Sequence, residues 1–404
     1  MNIKTVTLTR KFYHQCYIRL CKLQKQQNGY RNTKPYKSIF HILIFIIFAI
    51  ILQSCNKHYE YTENAVPKPV KMSNKLEILF SKTKLLCFGR YSLNVPEETQ
   101  LIIGSSTIDT IKGNNETIKR QIQRDIEKIK FEDNTADIIY NGKGPIEDSW
   151  QFRYYDSDAA KEYKLLFFRT FINKGDFIFI VGDALRDGEN EAMTAARQLF
   201  IANNLRLRDP QEVPIEPGLC FEHGFMKENL YRDQEIDNAG LYLPSMPDVT
   251  FSISSNKDAY GDYPPARFET EMREELSLLK RIQGAKDIQG SSYPKRTLLR
   301  EGKRDVQHWH GEESLIRRTD GVHDFEWVLV GTPRDIANPS ALEVKMYTKV
   351  EHNTVGAAQA ASLSDDEAVA LWDKLLSGLK FRVKVPGAPP GSYYIDPDKP
   401  APAL

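Results

Sequence analysis

The chain has 404 residues, 41% of them hydrophobic and 11% aromatic, a composition ordinary for a globular protein. Its length, less a leader, gives a prior of two domains. The formal charge of +1 hides an asymmetry: nine of the 55 basic residues precede Ser38, where there is no Asp or Glu. The remaining 46 basic residues face all 54 acidic ones, and so mildly acidic a body argues against nucleic acid as the main partner.

Residues 1–54 read as a signal or leader segment. After the basic stretch, Ile39 to Leu52 is continuously apolar. At about 1.5 Å per residue such a helix falls short of a ~30 Å bilayer core, and its length suits the h-region of a signal peptide. The ending Leu52-Gln53-Ser54-Cys55 resembles the lipobox of bacterial lipoproteins. That resemblance implies cleavage before Cys55, acylation of Cys55, and a water-soluble body tethered outside the cytoplasm. The long basic stretch leaves two readings open, a start codon placed too early or a cytoplasmic extension on a true membrane span. Asn56 after the cysteine resembles lipoproteins sorted to the outer membrane, so the expected location is the periplasm, on an outer-membrane lipid anchor. Residues 55–84, polar with Pro67 and Pro69, read as the tether.

The first domain spans 85–208. Leu85 to Val95 alternates as a strand, and Leu101 to Asp109 is a second. Asn114 and Asn115 offer an N-cap to a helix with Ile118, Ile122, Ile126 and Ile129 on one face. Strands are expected at 137–140, 150–155 and 163–172, with a turn at Asn173-Lys174-Gly175-Asp176 and a returning strand at 177–181. A second helix from Glu189 to Ala202 is expected to bury Ala192, Ala195, Ala196 and Leu199, and Leu205 to Arg208 closes the domain. Residues 209–218 hold three prolines and read as a semi-rigid linker.

The second domain, 219–384, repeats this order. Leu219-Cys220-Phe221 opens a strand as Leu86-Cys87-Phe88 does. A strand over 248–254 leads to a helix with Phe268, Met272, Leu276 and Leu279 on one face. Strands follow at 293–299, 314–319, 325–330 and 342–350. Ser364-Asp365-Asp366-Glu367 is a capping box, its helix stops at Gly378, and Leu379 to Arg382 closes as Leu205 to Arg208 did. The expected fold is α+β: two similar domains, each a mostly antiparallel sheet with two helices on one face. The tail, 385–404, is rich in Pro and Gly and is expected to be disordered.

Catalytic motifs are absent. No G-x-S-x-G, HExxH or P-loop occurs, and Asn141-Gly142-Lys143-Gly144-Pro145 lacks the upstream glycine and the hydroxyl residue of the last. His308-Trp309-His310 with Glu312, Glu313 and His323 nearby is the best metal candidate, but no second spaced ligand pair supports it. It reads as a polar hairpin tip, and no metal or cofactor is expected. Asp183, Asp187 and Glu189 lack the spacing of a calcium loop. Cys16 and Cys21 lie in the leader, which leaves Cys87 and Cys220 at equivalent places in the two repeats. A bond between them would staple the domains; two separately buried thiols are the other reading. Tyr260, Tyr263 and Trp309 are aromatics in loop-like stretches and the candidate partner anchors.

Two motifs occur together: Cys87-Phe88-Gly89-Arg90-Tyr91 before Val95-Pro96, and Gly218-Leu219-Cys220-Phe221-Glu222-His223-Gly224 before Leu243-Pro244-Ser245-Met246-Pro247-Asp248-Val249. Over Leu85 to Arg382 this arrangement resembles the immunity proteins that neutralise type VI secretion lipase effectors. The resemblance implies a periplasmic two-domain protein, not an enzyme, that clamps a cognate phospholipase and keeps its active site from lipid. A different class is an envelope lipoprotein that scaffolds other proteins or captures a solute; a metal-dependent hydrolase using His308 and His310 is a third.

Overall fold

The computed structural model describes residues 70–399, apart from 187, 262 and 349–361. The apolar run and Cys55 lie outside the described residues. The chain enters through a short helix, α1 (Asn74–Leu79), whose Leu76 is fully buried. The part of the expected tether from Asn74 on is therefore packed structure. Then come β1 (Thr83–Phe88), β2 (Tyr91–Pro96), β3 (Gln100–Ile103), β4 (Ile108–Lys112), α2 (Asn115–Glu132), β5 (Asp137–Lys143), β6 (Ser149–Tyr155), α3 (Asp158–Glu162), β7 (Phe167–Lys174), β8 (Phe177–Ala184), α4 (Glu191–Asn204) and β9 (Leu205–Leu207). The second half holds β10 (Gly218–Phe221), β11 (Gly224–Lys227), β12 (Ile236–Tyr242), β13 (Thr250–Asn256), an irregular helical stretch over 265–276, α5 (Leu278–Gln289), β14 (Arg296–Val306), β15 (Trp309–Arg318), β16 (His323–Leu329), β17 (Ala341–Tyr347), α6 (Asp365–Ser377), β18 (Leu379–Val383) and β19 (Tyr393–Ile395).

Local chemistry explains the main boundaries. Asn114 caps α2 by accepting from the Glu116 and Thr117 amides, and Thr117 returns the bond in a capping box. Ser364 and Glu367 form the same device on α6, and Gly378 ends that helix. The second-half helix expected to be continuous is broken at Ser277, which turns extended and caps α5 by accepting from the Lys280 amide.

Duplication shows in the strand order. One antiparallel sheet runs β4-β8-β7-β6-β5, and the core of the other runs β13-β17-β16-β15-β14. These are the same order at equivalent positions. In each half one helix follows the first of these strands and another follows the last. The second sheet is extended to seven strands by β12 and then β3, the latter lent by the first half.

Each half also lends its opening hairpin to the other. Leu85 to Val95 is not one strand but β1 and β2 turning at Gly89-Arg90. Gly89 has φ +47°, and a Cβ there would lie 2.1 Å from Asp237 Oδ2, so the turn needs glycine. This hairpin pairs with β18, the closing strand of the second half, while the β10–β11 hairpin pairs with β9, the closing strand of the first. The registers match: Tyr91 faces Phe381 as Gly224 faces Leu207. Leu86, Phe88, Tyr91 and Leu93 accordingly sit in a core with Trp309, Phe325 and Trp372. Leu219, Phe221 and Met226 sit with Ile108, Phe179, Val181 and Ile201.

The α+β class, the antiparallel sheets and the two similar halves match expectation. The placement of the helices differs. Along β8, Ile178 and Ile180 pack with Ile118 and Ile122 of α2, whereas Phe179 and Val181 pack with Ile201 and Ala202 of α4. Alternate residues of a strand point to opposite faces, so each face of the sheet carries one helix. In the second half Glu312 of β15 accepts from Ser277 and the Leu279 amide at the start of α5, while Glu313 accepts from Trp372 of α6. The tail also departs from expectation: Tyr393–Ile395 adds β19 parallel to β18.

Candidate partner-binding groove

The hairpin exchange concentrates charge at the junction. Arg90, in the β1–β2 turn, is buried and donates from Nε to Glu235 Oε2 at 2.6 Å and from Nη2 to Glu235 Oε1 at 2.7 Å. Nη2 also pairs with Glu228, and the guanidinium lies 4.2 Å from the Tyr231 ring centroid. Burial works against this charge, but Glu235 and Glu228 outweigh it and hold Arg90 above its ordinary value. Removing one partner of such a pair strands a buried charge, at a cost of about 3–5 kcal/mol. Asp237 lies beneath the turn; burial and the neighbouring Glu235 push its carboxyl up to about 8.

Arg208 and Arg382, equivalent residues of the two closing strands, play matching parts. Arg208 donates to the carbonyls of Phe221 and Gly224 around the β10–β11 turn. Arg382 donates to the carbonyls of Glu216 and Gly218, both at 2.9 Å, and to that of Pro214. The 209–218 linker is thus held by its carbonyls. Burial, with the nearby Arg90 charge, pulls Arg382 down to about 9, so it stays charged at neutral pH. Between the hairpins Cys87 and Cys220 form a disulfide with Cα atoms 5.8 Å apart.

Beside this junction a groove of about 320 Å³ opens where edge strands β3 and β4 meet. Ile103, Gly104, Ser106, Asp109, Arg169 and Glu222 are among its lining residues. Its wall carries an ion pair, Arg169 Nε to Asp125 Oδ2 at 2.7 Å, and Gln121 donates to Asp125 Oδ1 at 2.9 Å. Burial holds Asp109 above the ordinary carboxylate range against the pull of Arg169. Thr110 Oγ1 donates to the Glu222 carbonyl, tying β4 to the exchanged hairpin. Strand edges, mixed charge and apolar residues together suit a polypeptide segment better than a small substrate.

The residues singled out in the sequence fall elsewhere. Trp309 is fully buried, its Nε1 donating to the Ala337 carbonyl at 2.8 Å, and it is no partner anchor. It alternates inward along β15 into the core that also takes Tyr91 and Phe381. Tyr260 and Tyr263 are half-buried, Tyr260 near the Phe268 ring and Tyr263 near the Arg267 guanidinium. His308 is hydrogen-bonded to the Ala337 carbonyl, His310 to Asp305, and buried His323 to Thr348 and Asp365. Among the described residues no three His, Cys, Asp or Glu side chains are arranged to hold a metal ion. Asp183 and Glu189 both bind Arg197; Asp187 lies outside the described residues. No sequence motif marks the groove. Its one readable sign was Asp109 within the Ile- and Thr-rich run taken for the second strand.

Comparison with known proteins agrees with this architecture. The family model described as the Tle cognate immunity protein 4 N-terminal domain matches residues 84–209, and that of the C-terminal domain matches 212–384. The structure of the Tle4–Tli4 complex aligns with TM-score 0.57 and 21% identity, over 75% of this chain and 98% of that one. The immunity protein TplEi of the Pseudomonas aeruginosa type VI secretion system, solved with an "L" peptide, aligns with TM-score 0.54 and 21% identity, over 74% and 98%. Likeness at this identity shows the fold. No curated protein matches. With both domain models matched in order from 84 to 384, the chain belongs to the Tle cognate immunity protein 4 family.

Proposed function

We propose that this protein is the immunity partner of a type VI secretion phospholipase and inhibits it without catalysis. The two halves hold the effector at the groove between β3 and β4 and block access of lipid to its active site. Family membership carries this reading, and the solved complex of a similar immunity protein with its effector supports it. The reading is supported by the groove, where a projecting effector segment would meet edge strands of both sheets. Tight inhibition needs an interface of roughly 1,600 Å² or more, so the groove is one part of the contact.

The leader and Cys55 point to export and a lipid anchor in the periplasm, on the outer membrane. An anchored inhibitor is concentrated where a lipase must act, with no added contact. Calorimetry between the soluble body and its cognate phospholipase effector tests the pairing. The proposal expects binding that Asp109→Arg weakens by tenfold or more, about 1.4 kcal/mol. Absence of binding by the unmodified protein defeats it.

A further inference from the structure

The hairpin exchange changes which parts of the chain move together. Strands β4 to β11 are continuous in sequence and build around the β4–β8 sheet, with a core on each of its faces, whereas β1 to β3 belong with β12 to β19. The chain is thus an inner unit, 108–227, inserted into an outer unit, 74–103 with 236–395. These boundaries cut across the matched domains at 84–209 and 212–384. Only two chain connections join the units, 104–107 and 228–235, and the first runs alongside the start of the outer strand β12. Gly104 N–H donates to the Asn238 carbonyl at 2.8 Å, Thr107 N–H to the Ile236 carbonyl at 3.0 Å, and Asn238 Nδ2 to the Ser105 carbonyl at 2.7 Å.

Two chain crossings between two units make a hinge, and it is restrained at several points, among them Gly89 and Cys220, which exchange backbone hydrogen bonds at 2.6 and 2.8 Å. Arg90, from the outer unit, grips both ends of the 228–235 connection through Glu228 and Glu235. Between them Lys257 Nζ donates to the Tyr231 carbonyl at 2.9 Å. Arg382, also outer, holds the carbonyls of Pro214, Glu216 and Gly218 on the inner unit. The Cys87–Cys220 bond joins an outer strand to an inner one. Gly104 and Ser106 of the hinge also line the groove, so the hinge angle sets the groove's width.

We propose that the working parts of this protein are the inner and outer units, hinged at 104–107 and 228–235. Arg90, Arg382 and the disulfide lock that hinge and so fix the groove in its binding shape. The last step rests on the groove being the effector site; the hinge does not. Hydrogen exchange on the full chain in rising denaturant, after reduction and without effector, tests the units directly. The expected result is that 218–227 loses protection together with 108–207, and 83–103 together with 236–395. Arg90→Gln should speed exchange in 228–235 and 104–107 by roughly a hundredfold while β7, β8, β16 and β17 keep theirs. Should that variant not fold, Arg382→Gln or reduction of the unmodified chain should loosen the same two connections. Loss of protection over 83–103 together with 108–207, the grouping of the matched domains, would overturn the proposal. So would acceleration spread evenly over all strands. Binding that fails while the units behave as stated would defeat only the groove reading.

Discussion

At the scale of single residues, burial decides what sequence reading could not. Trp309 stands between two histidines in a run full of charge, which resembles an exposed tip. Lys303, Asp305 and His310 are indeed exposed, but part of the charge is internal: Glu313 is buried and bound by Arg300, Arg304 and the Trp372 indole. A buried charge network has the composition of a surface, and only three-dimensional pairing distinguishes them. Asp237 gives a direct test of the junction. Its folded carboxyl titrates near 8, well above an unfolded aspartate near 3.8. Its favourable contribution is complete below pH 4 and is lost as pH rises through 8, because the native state holds a proton the unfolded state has released. Asp237→Asn copies the neutral form. Thermal melts should show this variant level with the parent near pH 4 and several degrees more stable at pH 8. Equal melting at both pH values would remove the buried acid from the account.

At the scale of elements, the sequence carried much of the fold. The isoleucine face of α2, the capping boxes, the closing strands and the repeated order were readable because each depends on short-range spacing. The faces that α4 buries were not. Its alanines offered a small apolar stripe, but Thr194, Gln198, Ile201 and Ala202 go inward while Ala192, Ala196 and Leu199 stay out. The cause is polar anchoring, with Arg197 bound to Asp183 and Glu189 and Gln198 donating to Asp183. Hairpin exchange was equally hidden, since pairing with a strand of the other half leaves no local trace. The disulfide joins the exchanged hairpins across 133 residues. Cys87→Ser with Cys220→Ser should therefore lower stability by about 2–5 kcal/mol, read as an earlier denaturant midpoint. An unchanged midpoint would mean that the hairpins are held without it.

At the scale of the whole molecule, the chain is two similar halves that exchange hairpins across a linker held by Arg208 and Arg382. Its fold and family were accessible from paired motifs; its groove was not, because its walls come from strands paired in different sheets. The anchor proposed at Cys55 makes a prediction in cells. Cys55→Ser should leave effector binding in solution intact but weaken protection against the lipase; full protection would mean that the cysteine serves no anchoring role. The central claim is inhibition by occupancy. The cognate phospholipase effector, assayed on phospholipid while the soluble body is titrated in, should lose activity in proportion and reach zero near one equivalent, with Asp109→Arg shifting the curve to higher concentration. Undiminished lipase activity at saturating protein would contradict the account.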